Sequence, residues 1–291
     1  MIDEFGIIVL EEHEIDHLTE VANKKVAEER LEESLAQRAS QEGDYSIIMF
    51  DIDYFKAIND LLSYTQGDEV LRDVGRILRF LESDIYKHAG LCGRVGGDEF
   101  LITLPYASGT EAEDLAAKIR LSVENHDFRD VNNNQSLEER ITVTCGIDTV
   151  DVQKLIDIKT IDAEDLAKRM KKNVDQALSY GKLLGRNRVV QFNDRVAREM
   201  QNLNLTRRFY RGLRQREFKE IISTLDNFDI LDKYSELKDL MVEDAVIMKK
   251  KVPVRDYRSQ SIFADECYRK IRCLPCDDKN EILKFMHGFL N

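Results

Sequence analysis

Asp51-Ile52-Asp53 closes the apolar run Ile47-Ile48-Met49-Phe50, and Asp98-Glu99 follows the pair Gly96-Gly97 between two further apolar runs. An acid leaving the C-terminal end of a buried strand stands at the rim of a sheet, where open α/β folds bind their ligands. A double glycine between apolar runs is a hairpin signal, because it admits positive φ at both positions. The turn then brings Asp98 and Glu99 to the same rim. Carboxylates gathered there suit hard divalent cations, which prefer oxygen ligands. Two such cations held ~3.5–4 Å apart activate an attacking hydroxyl and stabilise a leaving phosphate. Taken singly, each acid is as readily a helix cap, and the glycines no more than a turn. Their order and shared context point to metal-dependent phosphate chemistry.

These side chains need a sheet to hold them, and the hydrophobic pattern supplies one. Leu18, Val21, Ala22, Val26, Leu31 and Leu35 predict a helix over 18–40, and Tyr45 to Ile52 reads as a strand buried on both faces. Val70, Leu71, Val74, Ile77, Leu78 and Leu81 mark a second helix. Strands are expected over Tyr86–Val95 and Glu99–Leu104, then a helix through Ala112, Leu115, Ile119 and Val123, a strand at Ile141–Ile147, a helix from Leu166 to Leu178 and a last strand at Arg188–Phe192. The expected fold is α/β, an α+β sandwich with a mixed sheet flanked by helices and the first strand central. Residues 1–193 form this domain. From 194 to 291 strand signals vanish, and candidate helices near 206–225, 229–249, 256–273 and 278–290 predict an all-α module for regulation, dimerisation or partner binding.

Of 291 residues, 43 are Lys or Arg and 55 are Asp or Glu, a net charge of −12. Residues 1–193 carry −15 and residues 194–291 carry +3. So acidic a first part argues against nonspecific binding of nucleic acid or anionic membrane. It leaves room for a phosphate ligand bridged by metal. No apolar run approaches the ~20 residues that span a bilayer, and 5 Cys do not read as a disulfide framework. The expectation is a soluble, reduced, cytoplasmic protein. In the tail, Arg207-Arg208-Phe209-Tyr210-Arg211 is read as a helix with a solvated basic face rather than an RNA site. Cys267, Cys273 and Cys276 are read as packing thiols rather than zinc ligands.

The hairpin Arg94-Val95-Gly96-Gly97-Asp98-Glu99-Phe100 resembles the signature of the GGDEF family of diguanylate cyclases. Asp51-Ile52-Asp53-x-Phe55-Lys56-x-Ile58-Asn59-Asp60 with Gly67-Asp68-x-Val70-Leu71 resembles the family's substrate half. Asp16-x-Leu18-Thr19 with Asn23 is similar to its opening, and Lys182-x-x-Gly185-Arg186-Asn187-Arg188 to its close. The resemblance runs from about 16 to 193. It implies a palm-like nucleotidyl cyclase fold and condensation of two GTP into cyclic di-GMP, with two pyrophosphates lost as each 3′-hydroxyl attacks the partner's α-phosphate. It implies Asp51, Asp98 and the carbonyl of Ile52 as ligands of two Mg²⁺, or alternatively Mn²⁺, with Glu99 as a further acid needed for turnover. Asn59 and Asp68 correspond to guanine readers. Lys182 and Arg186 correspond to donors on the terminal phosphates, with the amides near Phe55 and Lys56 cradling them. Gly97 leaves room for nucleotide.

Because one domain holds one substrate, the resemblance implies an antiparallel homodimer. About 15 residues precede Asp16, too few for a sensor domain, so the C-terminal module is expected to dimerise the enzyme or dock a partner. Ser63-Tyr64 stands where the family has Gly-His, and Lys87-His88-Ala89-Gly90 replaces the inhibitory Arg-x-x-Asp, so feedback inhibition is expected to be weak or absent. Asp68 favours GTP over a mixed dinucleotide. The alternatives are a cyclase making a mixed cyclic dinucleotide and a non-catalytic GTP-binding adaptor or scaffold.

Overall fold

The computed structural model describes residues 10–38, 43–138, 140–151, 162–201 and 203–204. The chain divides into two units, Met1–Ala197 and Arg198–Asn291, and the first contains every strand among the described residues. The expected C-terminal helices, the basic run at 207–211 and the tail cysteines lie outside the described residues.

Helix α1 (Lys24–Arg38) leads to strand β1 (Asp44–Ile52), then α2 (Phe55–Leu61), α3 (Tyr64–Phe80) and α4 (Glu82–Tyr86). The hairpin β2 (Leu91–Arg94) and β3 (Glu99–Leu104) follows, with α5 (Gly109–Glu124), β4 (Val143–Asp151), α6 (Ala163–Leu183) and β5 (Val189–Gln191). The strands form one mixed sheet in the order β2-β3-β1-β4-β5, antiparallel except for β4 with β5. β1 is central, as expected.

Its apolar run does not alternate because both faces are covered. Ile48, Phe50 and Ile52 pack into the cluster built by α3 and α5, with Phe50 stacked on Phe100 at 4.9 Å between ring centroids. Tyr45, Ile47 and Met49 pack into the cluster with Leu31 and Leu35 of α1 and Met170, Val174 and Leu178 of α6.

The first helix begins at Lys24, not at Leu18. Residues 15–23 form a loop, because the Asp16 carboxylate accepts the Thr19 N–H at 2.9 Å and hydroxyl at 2.7 Å, and Glu20 takes a left-handed φ of 58°. Side-chain bonding of this kind competes with a helix for the backbone. Asn23 then starts α1, its Oδ1 accepting the Val26 N–H at 3.2 Å. The loop pairs with β2, Ala22 donating to the Cys92 carbonyl at 3.1 Å and accepting from the Arg94 N–H at 2.9 Å.

The strand expected from Tyr86 starts only at Leu91. Tyr86 ends α4, and Ala89, at φ 50°, turns the chain into β2. The short helix α2 gives no clear periodic signal. It is seven residues long and preceded by Tyr54 in the left-handed region, φ 58°. At the hairpin, neither Gly96 nor Gly97 adopts positive φ. Space, not backbone freedom, is what glycine provides there. A Cβ on Gly96 would come within 2.6 Å of the Glu99 carboxylate, and one on Gly97 would face open space.

Candidate active site

Asp51 is the penultimate residue of β1, buried, and paired in register with Glu99 on one side and Thr144 on the other. The Ile52 N–H donates to the Asp98 carbonyl at 3.3 Å, which ties the strand end to the hairpin turn. Asp51, Asp98 and Glu99 therefore gather where the sequence places them. Burial pushes the Asp51 carboxyl up to about 6. The neighbouring Asp98 and Glu99 charges push the same way, and Lys182, with Nζ 2.7 Å from Asp51 Oδ2, pulls it back. Lys182, expected at terminal phosphates, is here the counter-ion of Asp51.

The donor set fits a hard cation. Its oxygens are carboxylate and carbonyl, and the single charge of Lys182 only partly offsets the acids around Asp51. No group of three His, Cys, Asp or Glu closes on one point among the described residues. Two carboxylates and one carbonyl fill fewer positions than a hard divalent cation takes and would leave the rest to water and phosphate oxygens.

Arg94 fixes the turn itself. Its guanidinium donates twice to the Gly97 carbonyl, at 2.7 and 3.1 Å, and pairs with Asp16 at 3.2 Å. Partial burial alone would raise the Asp16 carboxyl, but the Thr19 hydrogen bonds and the Arg94 charge outweigh it and hold it below the usual carboxylate range. Asp16, Thr19 and Arg94 were legible only as motif letters, and their joint role as a splint for the hairpin has no signal in spacing.

The proposed guanine readers sit across α2 and α3. Asn59 lies against Gly67, where an added Cβ would fall 1.9 Å from Asn59 Oδ1, and Asp68 is exposed beside it. Phe55 is buried under this pair, and Lys56 is exposed. Ser63, in the place of the family's glycine, caps α3 by accepting the Gln66 N–H at 3.0 Å, with extended backbone. Tyr64 opens that helix with its ring exposed. Buried Gln66 holds the loop after α5, donating to the Arg129 carbonyl at 2.8 Å and accepting from the Val131 N–H at 2.9 Å.

Asp53, also buried, is a structural anchor. Its carboxylate accepts from the Thr144 hydroxyl at 2.6 Å, the Thr142 hydroxyl at 2.7 Å and the Asn187 N–H at 3.0 Å. It thereby fixes the turn after α6, which carries Arg186 over the ring of Tyr54. A cleft of about 760 Å³ opens between α2 and the segment 130–142, walled by Tyr54, Ile58, Leu61, Arg140 and Ile141. None of Asp51, Asp98, Asn59 or Asp68 lines it, so it is separate from the acidic rim.

The family model described as "Diguanylate cyclase, GGDEF domain" matches residues 13–188. The chain belongs to the GGDEF family. Among relatives of this GGDEF domain, the response regulator PleD of Caulobacter vibrioides is 32% identical over 176 residues, 60% of this chain and 35% of the relative. The diguanylate cyclase DgcP of Pseudomonas aeruginosa is 29% identical over 174 residues, 60% of this chain and 23% of the relative. The chain thus spans about a quarter to a third of the length of these curated relatives. The GGDEF domain of DgcB from Caulobacter crescentus, solved with c-di-GMP, shares the fold with a TM-score of 0.54 at 24% identity, over 64% of this chain and 96% of that one. The mixed five-stranded sheet flanked by helices is the GGDEF palm-like architecture. No helix among the described residues is long and apolar enough to cross a membrane.

Proposed function

We propose that the protein is a diguanylate cyclase that condenses two GTP into cyclic di-GMP and two pyrophosphates. One observation carries the reading: Asp51 ends the central strand opposite Glu99 and beside the turn that carries Asp98, and the charges of both acids bear on its carboxylate, a burden that a cation would relieve. Asp51, Asp98 and the Ile52 carbonyl would hold two Mg²⁺, or Mn²⁺, with Glu99 as the further acid. Bound there, the metal would neutralise phosphate charge and make the 3′-hydroxyl easier to ionise.

The chain's own residues bind and orient. Asp68 accepts from guanine N1–H and the exocyclic amine while Asn59 reads the same base. Adenine, lacking that donor pair, leaves Asp68 unmatched. The first amides of α2, Phe55 and Lys56, have no intrahelical carbonyl to bond and are free for phosphate oxygens. Arg186 and Lys182 supply charge-assisted donors to the terminal phosphates, Lys182 by leaving Asp51 once a cation replaces it. Gly97 opens the turn to the nucleotide.

Each domain offers one such site, so closure of the product ring takes two copies, and the active species is an antiparallel homodimer. Residues 194–291 serve to dimerise the chain or dock a partner protein. A solved relative 28% identical, the diguanylate cyclase SiaD of Pseudomonas aeruginosa, was crystallised in complex with its activator SiaC. It has a TM-score of 0.51, over 61% of each chain. The buried free thiols Cys92 and Cys145 suit the reducing, cytoplasmic setting.

Incubating the purified protein with GTP and Mg²⁺ and reading product by mass tests the proposal. Cyclic di-GMP is expected from the wild type and none from Asp98→Ala/Glu99→Ala. A folded wild type that binds GTP and makes no product, even when dimerisation is forced, would overturn it.

A further inference from the structure

Position 54 is one that the Asp53-x-Phe55 motif leaves unspecified, yet its side chain has a defined partner. Tyr54 is 65% exposed and sits in the left-handed region between β1 and α2. The Arg186 guanidinium lies 4.3 Å from the centroid of its ring, and Arg186 Nη1 donates to the Tyr54 hydroxyl at 3.2 Å.

Arg186 is itself left-handed, φ 65°, between Gly185 at 107° and Asn187 at 46°. A left-handed arginine costs free energy, and such conformations persist only where the surroundings impose them, which is most often at functional sites. Here the imposing groups are visible. The Asn187 N–H donates to Asp53 Oδ2 at 3.0 Å, its Oδ1 accepts from Arg120 at 2.9 Å, and its Nδ2 donates to Glu124 at 2.8 Å. The backbone of the turn is thus fixed by Asp53, just after β1, and by α5, while the guanidinium head rests on Tyr54. A stacked guanidinium keeps its edge N–H groups available to an anion and has less rotamer freedom to lose on binding.

We propose that Tyr54 is a positioning residue: it holds Arg186 so that the remaining N–H donors meet the terminal phosphates of the nucleoside triphosphate. This rests on the proposed assignment of Arg186 to those phosphates. The ring face, more than the hydroxyl, does the holding.

The test is binding to the full chain, read separately from turnover. Guanosine 5′-(α,β-methylene)triphosphate, which cannot release pyrophosphate, is titrated beside GMP. Tyr54→Ala is expected to weaken the triphosphate about five- to tenfold and to leave GMP within about twofold. Tyr54→Phe stays within about threefold of wild type. In an Arg186→Ala background, Tyr54→Ala adds no further loss, because the two act as a unit. Parallel loss of GMP and triphosphate, or a full additional loss in the Arg186→Ala background, overturns the inference. If Arg186→Ala weakens the triphosphate while Tyr54→Ala does not, the inference fails alone. If the wild type shows no preference for triphosphate over GMP, the assignment of Arg186 fails and takes the inference with it. Should Tyr54→Ala not fold, Tyr54→Leu in the same cycle decides between these outcomes.

Discussion

Asp51 and Asp148 are both buried aspartates raised to about 6, but for different purposes. At Asp51 the proton competes with any cation for the same carboxylate, so metal affinity depends on pH. If the proposed function holds, the Mg²⁺ concentration giving half-maximal activity should rise about tenfold between pH 7 and pH 5, as a carboxyl of that pKa becomes protonated. A titration of initial rate against Mg²⁺ at each pH measures this, and a midpoint that does not move contradicts it.

Asp148 lies on β4, 4% exposed, with Asn173 Nδ2 donating to it at 3.3 Å. Burial is the main reason its carboxyl is pushed up, opposed by Asn173 and the Arg169 charge. The folded-state value is the higher one. The stabilisation is therefore fully present below the unfolded value near 4 and is lost as pH rises through about 6. Asp148→Asn should stabilise the fold at pH 8 by about 2 kcal/mol and narrow the difference in melting temperature between pH 5 and pH 8. Thermal unfolding at the two pH values reads both effects.

At the scale of elements, the hairpin is positioned by a loop that looks like a helix in sequence. Leu18, Val21 and Ala22 have helical spacing, but Val21 and Ala22 are buried and Leu18 half-buried because the Asp16–Thr19 turn folds them against β2 and the core. The spacing carries no mark of that difference. β1 was legible, since a strand buried on both faces over 45–52 shows as the unalternating apolar run Ile47–Phe50 ended by acids. α2 was not. A seven-residue helix offers too few turns for periodicity, and its left-handed Tyr54 entry has no glycine to announce it. The place of the acids Asp51, Asp98 and Glu99 at the strand end and hairpin turn was legible by type and order, whereas the ion pair of Lys182, near the end of α6, with Asp51 was not. Arg94, Asp53 and Tyr54 support the site through contacts that only the folded chain reveals. If the splint matters, Arg94→Ala should lower kcat ten- to a hundredfold, roughly the scale for a misplaced reacting group, with little change in melting temperature. Steady-state kinetics beside a thermal melt separates that from a general loss of folding.

For the whole molecule, a prediction follows from Lys87 and Gly90, which stand where the resemblance puts the inhibitory Arg and Asp. His88 is buried, with Nδ1 2.9 Å from the Tyr106 carbonyl, and Lys87 pairs with Asp84 at 3.3 Å. Neither lysine nor glycine provides the bidentate donor and carboxylate of the inhibitory motif. Cyclic di-GMP added to the reaction should therefore leave the initial rate unchanged up to concentrations well above those reached in the assay. A progress curve that flattens early, and is restored by a phosphodiesterase that removes product, would contradict this.

Arg94 also makes a mechanical connection. Its guanidinium grips the carbonyl of Gly97 with one edge and the carboxylate of Asp16 with another, so a single side chain spans from the start of the 15–23 loop to the tip of the signature turn. A displacement of the backbone at Asp16 reaches that turn through one side chain rooted at the end of β2. If the proposed function holds, that link is a short transmission line on the N-terminal side of the domain, by which a shift of about an ångström would tune turnover while the core stays still.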